Sequence, residues 1–155
     1  MILEPSLIEK VISTLLTTVG EFADIYYQDM TSRQLEAESG QMERISTVRE
    51  KGVGLRIIRE GITHFATTVN LKPESLLALA SDLASGAGSR GGKRKVQLTE
   101  LPPGPLPAGR DPAGIPLKKK AGLVMEAVNA LKGHDSRLVQ VKSVYRDATL
   151  SILLA

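Results

Sequence analysis

The chain has 155 residues and a net charge of +3, enough length for one ordinary domain or slightly more. It contains no cysteine, so it can form neither a disulfide framework nor a thiolate metal site, and a reducing cytoplasm fits this composition. Aromatic residues make up only 3% of the chain, which argues against a stacking platform for single-stranded nucleic acid.

The first predicted element is a helix that begins at Ser6. Apolar residues from Leu7 to Val19 recur every three or four positions, as they do on one face of a helix. Ser6 and Glu9 have the spacing of a capping box, and Gly20 is a natural stop.

After Gly20 the apolar period changes from 3.6 residues to two, which predicts strands. Turn residues stand at Ser39-Gly40 and at Glu60-Gly61, and strands this close in sequence must be joined as antiparallel hairpins. In the fourth strand, Val53, Leu55 and Ile57 are predicted to share one face, with Arg56 on the other. The predicted strands cover residues 23–30, 33–38, 41–48, 53–59 and 62–69.

A second helix is predicted to begin at Pro73 and to end at Gly86. Its apolar stripe consists of Leu76, Leu77, Ala80, Leu83 and Ala84. A helix, an antiparallel meander and a closing helix together predict an α+β fold, with the sheet flanked by helices.

Residues 87–116 are rich in glycine and proline, which predicts a linker around one short strand at 96–101. A third helix should follow from Pro116 to Gly133, with Leu117, Ala121, Val124, Val128 and Leu131 on its apolar face. Two strands, 137–145 and 148–155, are then predicted around a turn at Arg146-Asp147.

We therefore expect three segments: an N-terminal α+β domain at 1–86, a linker at 87–116, and the start of an incomplete second α+β unit at 117–155. The chain ends within an apolar strand, which favours a truncated middle domain. The alternative is that this terminal strand docks in the chain's own sheet.

The charge is unevenly distributed. Residues 1–89 carry 8 Lys+Arg against 12 Asp+Glu, a balance of −4, whereas residues 90–155 carry 12 against 5, a balance of +7. This shift suggests a boundary near Ser89.

No apolar run approaches the roughly 20 residues that span a bilayer, and the N-terminus lacks the basic start of a secretory signal. We expect a cytoplasmic protein that makes no membrane contact.

Several sequence patterns that could indicate a catalytic or binding site are better explained as ordinary structural features. GAGSRG, residues 86–91, matches a dinucleotide fingerprint but follows a helix instead of a strand, so a flexible linker is favoured. His64 and His134 have no second ligand at metal-binding spacing. Charged groups that we expect to be solvated are Glu36, Glu38, Glu43, Arg90, Lys93, Arg94, Lys95 and Lys118–Lys120.

Gly52 and Gly54 could suggest a phosphate-binding loop, but a period-two strand follows them where such a loop requires a helix. Hairpin chemistry is the better interpretation. Gly52 is predicted to permit a turn with positive φ, and Gly54 to allow close backbone approach or a bulge.

The ordered series of motifs resembles the N-terminal region of the TldD/PmbA family, also called modulator of DNA gyrase. The segments that hold the family's places are Ala23-Asp24-Ile25-Tyr26-Tyr27, Gly52-Val53-Gly54-Leu55-Arg56 and Phe65-Ala66. Leu55 replaces a usual valine, and His64 stands where glycine is common. The similarity continues weakly through Asp111-Pro112 and the lysine-rich helix to Asp135–Val141.

The resemblance implies a zinc-dependent peptidase that degrades or matures unfolded peptides and forms a homo- or hetero-oligomer with TldD/PmbA-type subunits. Its zinc motif, H-E-x-x-x-H, has no counterpart in this chain, so we assign no catalytic, cofactor-binding or metal residue and expect the chain alone to be inactive. The implied role is a scaffold or assembly portion. Its candidate structural and assembly residues are Gly52, Gly54, Arg56, Gly61 and Phe65.

One alternative from another functional class stays open. The basic second half could belong to a stand-alone module that binds a protein or a nucleic acid, such as a modulator of DNA gyrase without peptidase activity. Binding to nucleic acid through lysine and arginine would weaken steeply with salt, whereas a scaffold would not bind DNA.

Overall fold

The computed structural model describes residues 3–16, 22–88, 94–101 and 111–155. Its strands form one sheet in the order β3-β2-β1-β4, and the α+β prediction is confirmed. No helix in these ranges is long and apolar enough to cross a membrane. The elements are α1 (Pro5–Leu15), β1 (Phe22–Glu38), β2 (Gln41–Arg59), β3 (Ile62–Thr68), α2 (Pro73–Gly86), a 3₁₀ turn (Pro112–Gly114), α3 (Leu117–Lys132) and β4 (Lys142–Leu154).

The described residues divide into two compact units, and β1, β2 and β4 contribute to both. The first unit holds the residues up to Asp29, those from Lys51 to Leu101, and Ser151–Ala155. The second holds Met30–Glu50 and the residues from Asp111 to Leu150. The domain limits predicted from composition, 1–86, 87–116 and 117–155, stay a prediction.

The core of the first unit lies between one face of the sheet and the helices α1 and α2. The predicted inward face of β2 is confirmed, since Val53, Leu55 and Ile57 are all buried. Burial of this apolar surface is the main stabilising contribution to the unit. The other buried core residues of these elements are Ile8, Val11, Ile12, Leu15, Ile25, Tyr27, Leu76, Ala80 and Ala84.

The predicted capping box at the start of α1 is wrong. Glu4 is the N-cap, and the helix begins at Pro5, whose fixed φ and missing N–H suit a first helical position. Ser6 therefore already lies inside the helix. The equivalent prediction for Pro73 in α2 is confirmed. Gly20, the predicted end of α1, lies outside the described residues.

Both predicted hairpin turns are confirmed. Ser39 and Gly40 have φ of 51° and 91°, and Glu60 and Gly61 have φ of 51° and 75°. Two consecutive residues with positive φ match the twist of the flanking strands and produce tight two-residue hairpins. The predicted breaks within β1 and β2 are absent, because hydrogen bonding continues through the polar residues that interrupt the apolar alternation.

The predicted strand at 96–101 is also wrong, since residues 94–101 form no regular structure. Val96 and Leu98 nevertheless pack against the core of the first unit. The Leu98 N–H donates to Oε1 of Glu9 at 3.1 Å, so this backbone group bonds to a side chain and not to a neighbouring strand.

In the second unit, α3 packs on the sheet through Val124 and Val128, against Leu35, Ala37 and Val141. The predicted apolar face of α3 was too wide, because Leu117 and Leu131 are exposed. Lys120 occupies the buried side in their place. Gly133 caps the helix as predicted.

The two strands predicted at 137–145 and 148–155 are instead one strand, β4, without a turn at Arg146-Asp147. Asp147 lies inside β4, where Lys120 and Arg33 neutralise its charge. The terminal strand docks in the chain's own sheet, since Ile25 and Ala155 exchange both backbone hydrogen bonds, at 2.9 and 3.1 Å.

Candidate protein-interaction face

The first unit has a sheet face that α1 and α2 do not cover, which we call the open face. Side chains alternate between the two faces along each strand, so those that lie between the core residues point toward the open face. Most of its apolar members are largely exposed, with Phe65 61% and Leu154 68% accessible. The open face comprises Phe22, Asp24, Tyr26, Gly54, Arg56, Phe65, Ile152 and Leu154.

Arg56 and Asp24 form the polar centre of the open face. Nε of Arg56 donates to both carboxylate oxygens of Asp24, at 3.2 and 3.1 Å, and its Nη2 donates to Oδ2. The guanidinium also lies over the ring of Phe22, 5.5 Å from its centroid. The hydrogen bonds and the charge of Asp24 raise the pKa of Arg56. These contacts hold the guanidinium in one orientation, so its side chain is preorganised.

Phe65 extends this surface onto β3, directly across from Arg56 in the β2–β3 register. Its ring lies over Gly54, where an added Cβ would come within 3.0 Å of Cζ. The predicted close approach at Gly54 is therefore made by an aromatic side chain, which covers the backbone that glycine leaves bare.

β4 supplies the aliphatic border of the open face. The exchange of hydrogen bonds between Ile25 and Ala155 fixes the antiparallel register. In this register Tyr26 and Leu154 stand opposite each other on the open face. The sequence does not indicate which strand pairs with the last one, so this contribution could not be predicted from it.

Of the five candidate residues, the structure brings Gly54, Arg56 and Phe65 together on the open face. Gly61 lies in the β2–β3 turn, away from that surface. Gly52 was predicted in a turn with positive φ, and that is wrong, because it lies inside β2 without positive φ. A Cβ at position 52 would stand 3.1 Å from the Thr68 carbonyl oxygen, so the backbone of β3 leaves little room for a side chain there.

We expect the two glycines to respond differently to alanine. Gly52→Ala should destabilise the protein by about 1–2 kcal/mol, because the Thr68 carbonyl cannot move without loosening the β2–β3 pairing. Gly54→Ala is the matched control and should change stability by less than about 0.5 kcal/mol, since the exposed Phe65 ring can shift. Urea denaturation measures both, and a larger loss for Gly54→Ala would contradict this assignment.

A second polar cluster lies in the second unit and was missed by sequence reasoning. Nζ of Lys120 donates to Oδ2 of Asp147 at 2.5 Å, and Nη1 of Arg33 donates to Oδ1 at 3.1 Å. Lys120 also lies 5.7 Å from the ring centroid of Tyr145. Only 1% of the Lys120 side chain and 6% of the Asp147 side chain are exposed.

The pKa values in this cluster follow from burial and these hydrogen bonds. Burial by itself raises the pKa of Asp147, but hydrogen bonds from Lys120, Tyr145 and Arg33 outweigh it and the pKa is lowered. Burial, together with the nearby Asp147 carboxylate, raises the pKa of Tyr145. The Asp147 carboxylate therefore stays ionised. Its hydrogen bond from Lys120 fastens α3 to the sheet, which is a structural function.

The structure does not support the other candidate metal-binding or catalytic residues as sites. Among the described residues, no three His, Cys, Asp or Glu side chains are grouped so that they could hold a metal ion. His64 is half-buried in β3, opposite Ile57. Glu36 pairs with Lys142, whose hydrogen bond lowers the pKa of Glu36. Residues 89–93, which hold part of the glycine motif and of the basic run, lie outside the described residues.

Residues 23–87 match the sequence model of a family described as PmbA/TldA metallopeptidase domain 1. These residues are therefore similar to the first domain of that family. The open face lies on strands of the matched segment, apart from its β4 border and Phe22. No curated protein matches the chain.

Several solved structures share the fold, among them the following three. A proposed modulator of DNA gyrase from Bacteroides thetaiotaomicron has a TM-score of 0.66 and 16% identity, over 96% of this chain and 36% of that one. A second proposed modulator, from Thermotoga maritima, has a TM-score of 0.62 and 18% identity, over 86% and 30%. TldE from Thermococcus kodakarensis has a TM-score of 0.59 and 12% identity, over 97% and 34%. The chain spans about a third of the length of these structures.

Proposed function

We propose that this chain is the N-terminal, non-catalytic portion of a TldD/PmbA-type zinc metallopeptidase that acts on unfolded peptides in the cytoplasm. Its role there is to form part of the scaffold and to bind a related TldD- or PmbA-type subunit through the open face. The observation that carries the proposal is the match of residues 23–87 to the first domain of that metallopeptidase family.

The composition of the open face supports an assembly role. Contiguous exposed apolar side chains mark interaction surfaces more often than isolated ones do. Aromatic residues and arginine are enriched at the centres of protein interfaces, and here Tyr26, Phe65 and a preorganised Arg56 share one face. The partner that binds the open face is a related subunit, since TldE is among the proteins with this fold.

The residues that the structure describes do not form a binding site for the zinc of such a peptidase. With no group of three potential ligands among those residues, no catalytic step can be assigned to them. In the proposed division of labour, the metal ligands belong to the remainder of a longer protein, and this portion contributes shape and contacts.

The test uses the purified 155-residue chain and a TldD- or PmbA-type subunit from the same organism. We expect the two to co-purify, and we expect the chain alone to show no hydrolysis of unfolded casein, with or without added zinc. Failure to associate with any such subunit would contradict the assembly role. Zinc-dependent cleavage by the chain alone would contradict the non-catalytic assignment.

The alternative function, binding to nucleic acid, rests on the basic second half. Lys118 and Lys119 are exposed at the start of α3, but Lys120 is buried and bound to Asp147, so the basic run is weaker than its sequence suggests. Titration of duplex DNA at low and high salt distinguishes the two functions. A steep loss of affinity with salt would favour the nucleic-acid module, whereas no binding at low salt agrees with a scaffold.

A further inference from the structure

A cavity of about 470 Å³ lies in the second unit, on the part of the sheet that β2, β1 and β4 form. This volume is within the range of pockets that hold small organic ligands. Val48, Arg146 and Ala148 line the cavity and are exposed, so it is open to solvent. Its other lining side chains include Ser32 and Gln34 of β1 and Ser46 of β2.

The cavity lies on the sheet face that α3 does not cover. Asp147 on β4 bonds to Arg33 on β1 and to Lys120 on α3, so the two strand residues point toward the helix. Side chains alternate along a strand, so the next residues, Gln34 and Arg146, point to the opposite face. There Nε of Arg146 donates to Oε1 of Gln34 at 3.2 Å. The Arg146 guanidinium is therefore on the same face as the cavity that it lines.

Arg146 is a cation without a carboxylate partner among the described residues. Its side-chain hydrogen bond goes to the neutral amide oxygen of Gln34 and uses only Nε, so the two terminal nitrogens remain available. Ser32 shares this face by alternation, and Ser46 lines the cavity from β2. A guanidinium and two hydroxyl groups are donors that bind carboxylates and phosphates.

The charges around the cavity add up to a positive potential. On the α3 side of the sheet, Lys120 and Arg33 share the single carboxylate of Asp147, which leaves one positive charge uncompensated. Both cations are largely buried, so water and salt screen this charge only in part. Glu36, an acid of β1 near the cavity, is already paired with Lys142. A bound anion would offset the excess positive charge.

We propose that this cavity binds a small organic molecule through a carboxylate or phosphate group, which Arg146 and the hydroxyls of Ser32 and Ser46 hold. Val48 and Ala148 supply apolar walls for the rest of the molecule. This site adds to the proposed scaffold role and does not depend on it, because it lies in the second unit and needs no partner subunit.

Titration of the full 155-residue chain with inorganic phosphate and with butyrate tests the site and separates the two anionic groups. At constant ionic strength, we expect at least one of them to bind with a dissociation constant below about 10 mM. Backbone amide shifts in nuclear magnetic resonance spectra should concentrate at residues 32–34, 46–48 and 146–148. Tighter binding of phosphate would identify a phosphate monoester as the ligand class, and tighter binding of butyrate a carboxylic acid. Binding of neither anion, or shifts centred on the exposed Lys118 and Lys119, would overturn the proposal.

Three variants locate the binding groups. Arg146→Gln should weaken binding of the better probe by about tenfold or more, because it removes the charge and the paired donors. Ser46→Ala keeps the charge and should weaken binding by about three- to tenfold through loss of one hydroxyl. Arg137→Gln is the matched control, an exposed arginine of the same unit that pairs with Asp135, and should change the affinity by less than about twofold. Equal effects of Arg146→Gln and Arg137→Gln in folded proteins would show only a response to net charge and would overturn the assignment.

Discussion

Lys120→Met is expected to lower the free energy of unfolding by about 2–4 kcal/mol, because it removes one partner of a buried ion pair. Methionine fills a similar volume, so the loss of stability comes mainly from removal of the lysine charge and of its hydrogen bond to Asp147. The Asp147 carboxylate would keep Arg33 and Tyr145, which limits the effect. Chemical denaturation of the folded chain measures it.

The neighbouring lysines are matched controls in the same helix. Lys118→Met and Lys119→Met are exposed and should each change stability by less than about 0.5 kcal/mol. If all three substitutions had equal effects, Lys120 would not be the buried partner of Asp147.

The same cluster gives a pH dependence with a defined sign. The pKa of Asp147 lies below its ordinary value of 3.8 in the folded protein, so its ionised form stabilises the fold above that value. This stabilisation is lost as the pH falls from there through the lowered folded-state pKa. Lys120→Met removes one cause of the lowering, so the gap in stability between the parent chain and this variant should narrow below about pH 4.

Removal of the aromatic side chains of the open face should weaken binding to a related TldD- or PmbA-type subunit. We expect Phe65→Ala and Tyr26→Ala each to raise the dissociation constant by about 10- to 100-fold, as truncation of central aromatic residues commonly does. Arg56→Ala should act in the same direction, because it removes the preorganised charge. Calorimetric titration of the purified partners measures all three.

The control for these variants is Leu131→Ala, which removes an exposed apolar side chain from α3 in the second unit. It should bind the partner with unchanged affinity. Thermal denaturation of each variant shows whether the fold is kept. Unchanged affinity for Phe65→Ala, Tyr26→Ala and Arg56→Ala in folded proteins would exclude the open face as the binding surface.

The fold class and the inward face of the sheet could be predicted from the sequence because they depend on local rules. The alternation at Val53, Leu55 and Ile57 predicts their burial, and turn chemistry at Ser39-Gly40 and Glu60-Gly61 predicts the hairpins. These signals lie within a few residues of the structure that they specify.

The errors arose where a distant partner decides the structure. Aspartate is common in turns, which is why a turn was predicted at Asp147. Lys120, on a helix about thirty residues earlier, instead neutralises the charge of Asp147 inside a strand. Lysines in a charged run are usually solvated, so nothing in the sequence singled out Lys120 as buried. Gly52 and Gly54 look alike in sequence, and only the position of β3 shows that one faces a carbonyl and the other a ring.

The candidate interaction residues were predicted in part. Arg56 and Phe65 came from the resemblance to the TldD/PmbA family, and the β2–β3 register places them opposite each other. Asp24 and Phe22, which orient Arg56, depend on how β1 lies beside β2. The border formed by Ile152 and Leu154 depends on how β4 pairs with β1. That pairing joins segments more than a hundred residues apart, which local patterns cannot specify.

The measurement that tests the central claim most directly is the nucleotide sequence downstream of codon 155 in the source genome. If this chain is the N-terminal portion of a TldD/PmbA-type peptidase system, the reading frame should continue for roughly twice the present length, in proportion to the solved structures of this fold. On the TldD side it should encode an H-E-x-x-x-H helix. A stop codon directly after Ala155 would contradict the account and leave the stand-alone interaction module as the better explanation.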